Sequence, residues 1–251
     1  MKHVVFSDFD GTITAKDTID AMYDAFGPED WPGITRELYS QGLRSRRIIR
    51  KMLGMFDVTR EEIVELLRTL LIRDGFVEFR EFCRRDGYEL VIVSEGIGLS
   101  VETVLHERGI DDLPYFGNVL VRGRDGRWTT LNPHRHPDCA DCGNCKGQHL
   151  IERKKRGDAV VYVGDGATDR CAAQLADVVF ATGYLARFCE KTGIPFVRFE
   201  TFQEIVREMS KEEFKARLEA EARRDIRRKT KLPRADARAV AEDGNPDDQR
   251  R

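Results

Sequence analysis

A chain of 251 residues with 41% hydrophobic and 34% charged side chains is expected to be a soluble globular protein, long enough for one substantial domain plus an insertion or tail. A formal net charge of −2 leaves no overall nucleic-acid footprint, and six cysteines at this length do not make a disulfide framework. No apolar run reaches membrane-spanning length and no signal-type segment precedes the first strand, so a reducing cytoplasm is the expected setting.

The first strand is the apolar run Val4 to Phe6. It leads into Asp8, Asp10, Gly11 and Thr12, an odd place for charge, because carboxylates are rarely buried without a partner. Residues i and i+2 of a strand point the same way, so both carboxylates can face one point at the carboxyl edge of a sheet, where α/β proteins bind ligands. Two converging carboxylates suit a hard divalent cation such as Mg²⁺. An Asp-Gly turn after a strand is the plainer alternative.

The period then changes. Ala15 to Phe26 reads as a helix, with Ile19, Met22, Tyr23 and Phe26 on one face. Pro28, Pro32 and Gly33 break it, and Ile34 to Gln41 and Leu43 to Phe56 follow as short helices. Thr59 to Leu71 is another, opened by a capping box of Thr59 and Glu62. Residues 15–73 thus form a helical insertion. Its basic run of Arg44, Arg46, Arg47, Arg50 and Lys51 reads either as a solvated face or as a source of arginines for an anionic substrate.

Phe76 to Arg85 is a helix, and Tyr88 to Val93 a strand ending in Ser94-Glu95-Gly96. A serine at that edge, followed by free N–H groups, can hold a phosphate oxygen, although Ser-x-Gly is also ordinary turn chemistry. Ser100 to Arg108 is helical, and Tyr115 to Val121 and Arg127 to Leu131 flank Asp125-Gly126 as a hairpin. After a segment rich in Pro, His and Cys, Lys146 opens a helix that continues from Gln148 to Lys155. The strand Asp158 to Val163 runs into Gly164-Asp165-Gly166-Ala167-Thr168-Asp169, the second acidic, glycine-rich strand end. Asp169 to Ala176 and Tyr184 to Lys191 read as helices, Val178 to Phe180 and Phe196 to Arg198 as short strands, and Thr201 to Met209 closes the domain.

From Lys211 the composition shifts to thirteen Lys/Arg against ten Asp/Glu. Lys211 to Thr230 is helix-prone with a thin apolar stripe, and Leu232 to Arg251 is expected to be disordered. Residues 210–251 read as a solvated appendage or, alternatively, a contact for RNA or another acidic partner.

Strands alternating with helices imply a parallel sheet whose strand ends converge. The convergent groups make a coherent phosphoryl-transfer set: a carboxylate nucleophile, a second carboxylate for protons, a bridging Mg²⁺, and a serine and lysine on phosphate oxygens. In their order, Asp8-Phe-Asp10-Gly11-Thr12, Ser94, Lys146 and Gly164-Asp165-Gly166-x-x-Asp169 resemble the four motifs of the haloacid dehalogenase superfamily of phosphatases. The resemblance implies a Rossmann-like α/β core at 1–14 and 74–209 with a small helical cap at 15–73, as in the phosphoserine-phosphatase branch. It implies Asp8 as nucleophile and Asp10 as general acid/base. It also implies Ser94 and Lys146 on the phosphate, and Asp8, Asp10, Asp165 and Asp169 around Mg²⁺.

The same resemblance points to substrate residues. Phosphoserine phosphatases carry a glutamate nine residues after the nucleophile, where this chain has the shorter Asp17, and a cap arginine, for which Arg46 is the nearest match. Cysteines just ahead of the motif lysine, here Cys139, Cys142 and Cys145, resemble the methionine-salvage and the phosphoethanolamine/phosphocholine phosphatase groups. With His134, His136 and His149 nearby they also suggest a structural Zn²⁺ site, the alternative being a loop of thiols. Cys83, Cys171 and Cys189 read as core residues. The expectation is a cytoplasmic Mg²⁺-dependent phosphomonoesterase acting on a small-molecule phosphate ester, without membrane or nucleic-acid partner. A phosphotransferase, a phosphoserine phosphatase or an inactive scaffold with an RNA-binding tail are the alternatives.

Overall fold

The computed structural model describes residues 1–137, 141–224 and 232–233. A seven-stranded sheet runs through it in the order β4-β3-β2-β1-β5-β6-β7. The strands are β1 (His3–Ser7), β2 (Tyr88–Ile97), β3 (Tyr115–Arg122), β4 (Trp128–Leu131), β5 (Ala159–Gly164), β6 (Val178–Ala181) and β7 (Val197–Arg198). All pairs are parallel except β3 with β4, the hairpin read from Asp125-Gly126. Every residue of β5 is buried, as expected for a parallel strand covered on both faces. From β1 the chain builds outward to β2 and β3, then crosses to β5 on the other side. The reversal beside β1 creates the crevice in which such sheets bind ligands.

Alternation along the strands divides the apolar side chains between two cores. Val5, Val161 and Val163 face one cluster, and Val4, Phe6, Val160 and Tyr162 the other. The first is shared by α5 (Phe76–Arg85), α6 (Gly98–His106), α10 (Phe202–Met209) and α11 (Phe214–Arg224). The second is covered by α7 (Lys146–Lys155), α8 (Arg170–Leu175) and α9 (Gly183–Thr192).

Four of the five helices between β1 and β2 form an excursion before α5: α1 (Thr18–Phe26), α2 (Trp31–Ser40), α3 (Ser45–Leu53) and α4 (Arg60–Arg68). Their apolar faces join the first cluster through Met22, Met52, Ile63 and Leu67. The capping box of Thr59 and Glu62 opens α4. Pro32 does not break a helix as expected. Asp30 caps α2 and Pro32 sits in its first turn, where a missing N–H costs nothing. The two ends of this excursion are stitched together. Thr14 bridges Ile72, the Ala15 N–H donates to the Leu71 carbonyl at 2.9 Å, and the Arg73 N–H to that of Ile13 at 2.7 Å.

Two further expectations are corrected. The helix after Lys211 is no solvated appendage: Phe214, Leu218 and Ala222 form a stripe at four-residue spacing and are buried, with Phe214 stacked 6.2 Å from Phe180. Its many charges hid that narrow stripe. Cys83 and Cys189 are buried, but Cys171, in the first turn of α8, is only half-buried. Of the segment expected to be disordered, Leu232 packs against the second cluster, and the segment after Pro233 lies outside the described residues. Among the described residues no helix is long and apolar enough to cross a membrane.

Candidate active site

The carboxyl ends of β1, β2 and β5 bring the acidic and polar motif residues together. The Asp8 N–H still donates to the Val163 carbonyl at 2.9 Å, so the ladder fixes this residue before the chain turns away. Gly11 makes the turn with φ +79°, and a Cβ there would lie 2.7 Å from Asp165 Oδ2. Thr12 Oγ1 donates to Asp165 Oδ1 at 2.5 Å, tying the first strand end to the third.

Lys146 enters from the first turn of α7. Its ammonium lies 2.7 Å from Asp8 Oδ1 and 2.5 Å from Asp169 Oδ1, and donates to Thr168 Oγ1 at 3.1 Å. Asp8, Lys146 and Asp169 are all almost fully buried. Burial works against the Lys146 charge, but the charges of Asp169 and Asp8 outweigh it and hold the ammonium protonated well above its ordinary range. Asp169 accepts four hydrogen bonds: Oδ1 from Lys146 and from the Tyr162 hydroxyl at 2.6 Å, Oδ2 from the N–H groups of Asp165 and Gly166 at 3.0 and 2.8 Å.

Asp8, Asp165 and Asp169 each offer a carboxylate oxygen within 4.8 Å of the others. So dense a negative charge is unfavourable in a dry site. Burial, then the Asp169 charge, raise Asp8 well above the usual carboxylate range against the pull of Lys146. Burial and Asp169 likewise push Asp165 up to about 7. One ammonium among three carboxylates leaves an excess that a hard cation would neutralise, and an all-oxygen donor set of this kind fits Mg²⁺.

Asp10 is held by β2 and α1. Oδ2 accepts from Ser94 Oγ at 2.6 Å, and Oδ1 from the Thr18 hydroxyl and N–H at 2.5 and 3.3 Å. It therefore joins the end of β2 to the start of α1. Asp17 is the N-cap of α1, its Oδ1 accepting from the N–H groups of Ile19 and Asp20. Burial, followed by the charges of Asp10 and Asp20, raises it well above the usual range. The Arg46 backbone N–H donates to the Asp141 carbonyl at 3.4 Å, which places this residue against the loop ahead of Lys146.

Of the residues proposed for Zn²⁺, Cys139 lies outside the described residues. Among the described residues the three aspartates are the one group of His, Cys, Asp and Glu spaced for a metal, and it includes neither Cys142 nor Cys145. His149 is a packing residue: its ring stacks on Phe116 at 4.1 Å and Nε2 meets Asn144 Oδ1 at 2.7 Å. Burial, then His134, push its pKa down to about 4.

Sequence reasoning missed three supports. Tyr162 reads as one more apolar residue of a buried strand, yet its hydroxyl holds Asp169. Arg73 donates to the carbonyls of Gly11 and Thr12 at 2.6 and 3.0 Å, with no motif to announce it. Glu95 reads as the middle residue of a Ser-x-Gly turn, although an acid next to Ser94 signals a need for donors.

The geometry agrees with the comparisons. Residues 3–185 match the Putative Phosphatase family. A 2-hydroxy-3-keto-5-methylthiopentenyl-1-phosphate phosphatase of Brevibacillus brevis is 32% identical over 209 residues, covering 82% of this chain and 94% of that protein. Among solved structures, a phospho-aspartyl intermediate analogue of phosphoserine phosphatase superposes with a TM-score of 0.61 at 24% identity, covering 82% of this chain and 98% of the other. A HAD family hydrolase from Salmonella enterica gives 0.65 at 17% identity, covering 84% and 72%. The chain belongs to the Putative Phosphatase family and carries it on a Rossmann-like α/β fold shared with these solved structures.

Proposed function

We propose that the protein hydrolyses 2-hydroxy-3-keto-5-methylthiopentenyl-1-phosphate, or a small phosphate ester close to it, through a phosphoryl group carried on Asp8. The observation that carries the reading is the buried contact of Lys146 with Asp8, beside Asp165 and Asp169. The relative from Brevibacillus brevis, matched over nearly its whole length, supports the substrate.

Each group then has a task. The Asp8 carboxylate attacks phosphorus, forming an aspartyl–phosphate bond as the ester P–O bond breaks. Asp10, held by Ser94 and Thr18, gives its proton to the leaving alkoxide. It then takes a proton from water, whose oxygen attacks phosphorus and releases phosphate and free Asp8. Ser94 and Lys146 hold the non-bridging phosphate oxygens, already aligned by Asp10 and Asp169. Asp8, Asp10 and Asp165 would hold Mg²⁺, which would supply charge neutralisation at the phosphoryl group. Both oxygens of Asp169 are taken by N–H, hydroxyl and ammonium donors, which favours orientation of Lys146 over direct coordination. Asp17 and Arg46 border the leaving group, on a cap of residues 15–73. The reading of a cytoplasmic enzyme acting on a small molecule, without membrane or nucleic-acid partner, rests on the thiol content and near-balanced charge.

Phosphate release from a panel containing this ester, phosphoserine, phosphocholine, phosphoethanolamine and an aryl phosphate tests the proposal. The methylthiopentenyl ester should give the highest kcat/KM, and EDTA or Asp8→Asn should abolish turnover. Undiminished activity of Asp8→Asn would remove the mechanism, and a better amino-bearing substrate would remove the substrate assignment.

A further inference from the structure

β2 does not end at Ser94. It continues through Glu95 to Ile97, and Glu95 is a buried carboxylate, 7% exposed. Such a group is costly unless donors surround it. The Gly143 N–H reaches both its oxygens, at 2.8 and 3.1 Å, and the Asn144 N–H reaches Oε2 at 3.1 Å. Ser45 Oγ, at the first residue of α3, donates to Oε1 at 3.1 Å. One side chain thus grips two separate parts of the chain.

We infer that Glu95 is a positioning residue, which holds the loop ahead of Lys146 and the N-terminus of α3 in register with Ser94. The loop side is short and hydrogen-bonded at successive residues. Gly143 and Asn144 stand directly before Cys145, the residue that precedes α7. Asn144 also donates its side-chain amide to the carbonyls of Ser94 and Phe116, both at 2.9 Å, and the Cys145 N–H donates to the His134 carbonyl at 3.0 Å. The chain that delivers Lys146 is therefore fixed by Glu95 from its carboxylate and by Ser94 from its carbonyl. A Cβ on Gly143 would lie 2.6 Å from the Asn132 amide and 2.8 Å from that of Asn118, so a side chain there would have to displace both amides.

The α3 side closes over the same loop. Ser45 Oγ lies 3.2 Å from the Asp141 carbonyl, the Arg46 N–H donates to that carbonyl, and Arg44 Nε lies 3.3 Å from Asp141 Oδ1. Three consecutive residues of the helical insertion thus meet the loop that Glu95 holds. Gly143 and Asn144, between Cys142 and Cys145, form the arm between Glu95 and Lys146.

Glu95→Gln keeps the shape but replaces one acceptor oxygen by an NH₂ that faces backbone donors. The inference rests on Lys146 as a phosphate ligand, so the readout is phosphate affinity in the full chain. We expect KM for an aryl phosphate and the competitive Ki of inorganic phosphate to rise together by about tenfold, the scale of one lost charge-assisted hydrogen bond. The melting temperature is followed in parallel, and Glu95→Asp, which keeps the charge, should recover part of the Ki. Ser45→Ala removes the α3 contact alone and should raise KM by about threefold with little change in Ki, the scale of one neutral hydrogen bond. A folded Glu95→Gln with unaltered KM and Ki overturns the inference while leaving the phosphatase reading intact. If Glu95→Gln does not fold, an unaltered KM in Ser45→Ala overturns it. A wild-type protein that releases no phosphate defeats the underlying reading instead.

Discussion

Lys146 Nζ and Asp169 Oδ1 lie 2.5 Å apart, both out of contact with water, and the same ammonium reaches Asp8 at 2.7 Å. The pair links the proposed phosphate ligand to the proposed nucleophile before any substrate arrives. Removing one partner leaves the other charge buried alone, which costs about 3–5 kcal/mol in such settings. Lys146→Met should therefore lower kcat/KM on an aryl phosphate by at least about a hundredfold, as loss of a transition-state donor does. It should also lower the urea midpoint of the metal-free protein. An unchanged midpoint would mean that the carboxylates relax without their cation.

Gly96 is constrained by Asp10, the proposed proton-transfer residue. A Cβ at this position would lie 2.5 Å from Asp10 Oδ2 and 3.0 Å from Ser94 Oγ. Gly96→Ala should displace Asp10 and reduce kcat by about ten- to a hundredfold, the effect of roughly 1 Å of misplacement. Far-UV circular dichroism should be unaltered. Wild-type kcat in this variant would show that Asp10 tolerates the shift.

The pH dependence of stability carries a signature of the acidic cluster. The Asp165 carboxyl is raised from an ordinary value of 3.8 to about 7 by burial and then by Asp169. The folded state thus keeps a proton that the unfolded state has lost, so this group's contribution to stability declines as pH rises between those two values. A divalent cation favours the ionised form. Thermal melts at pH 5 and pH 8, with and without Mg²⁺, should give the larger stabilisation at pH 8. A larger shift at pH 5 would exclude Asp165 as a ligand carboxylate.

The last described helix should matter for stability despite its charge. Leu218 is fully buried in the first core cluster. Leu218→Ala should cost about 2–5 kcal/mol by chemical denaturation, the range for a core leucine, whereas Arg223→Ala on the exposed side should change little. Equal, small effects would restore the picture of a solvated appendage.

Much of this was legible because parallel strands are short apolar runs and their ends are polar. Asp8, Asp10, Ser94 and Asp165 were marked by the abrupt change from one to the other, and the structure brings them to one edge. Lys146 was marked only by motif order, since a lysine opening a helix has no periodic signature. Tyr162, Arg73 and Glu95 were illegible for a different reason. Their roles depend on side chains far away in sequence, and local pattern cannot supply those partners. Pro32 misled because a proline that stops one helix is also well suited to start the next. The stripe of α11 was narrow enough that charge dominated its composition.

The pairing of Thr14 with Ile72 has a consequence for how such a protein can change. Because the excursion of α1 to α4 begins and ends at one stitched point, those helices form a closed loop in the topological sense. Any change in their number, length or lining must keep or redraw the contacts of Thr18 with Asp10 and of Ser45 with Glu95, by which they touch the ends of β1 and β2. The proposed chemistry at Asp8 and the proposed selection of substrate by these helices would then evolve through a few shared contacts, Thr18 with Asp10 and Ser45 with Glu95.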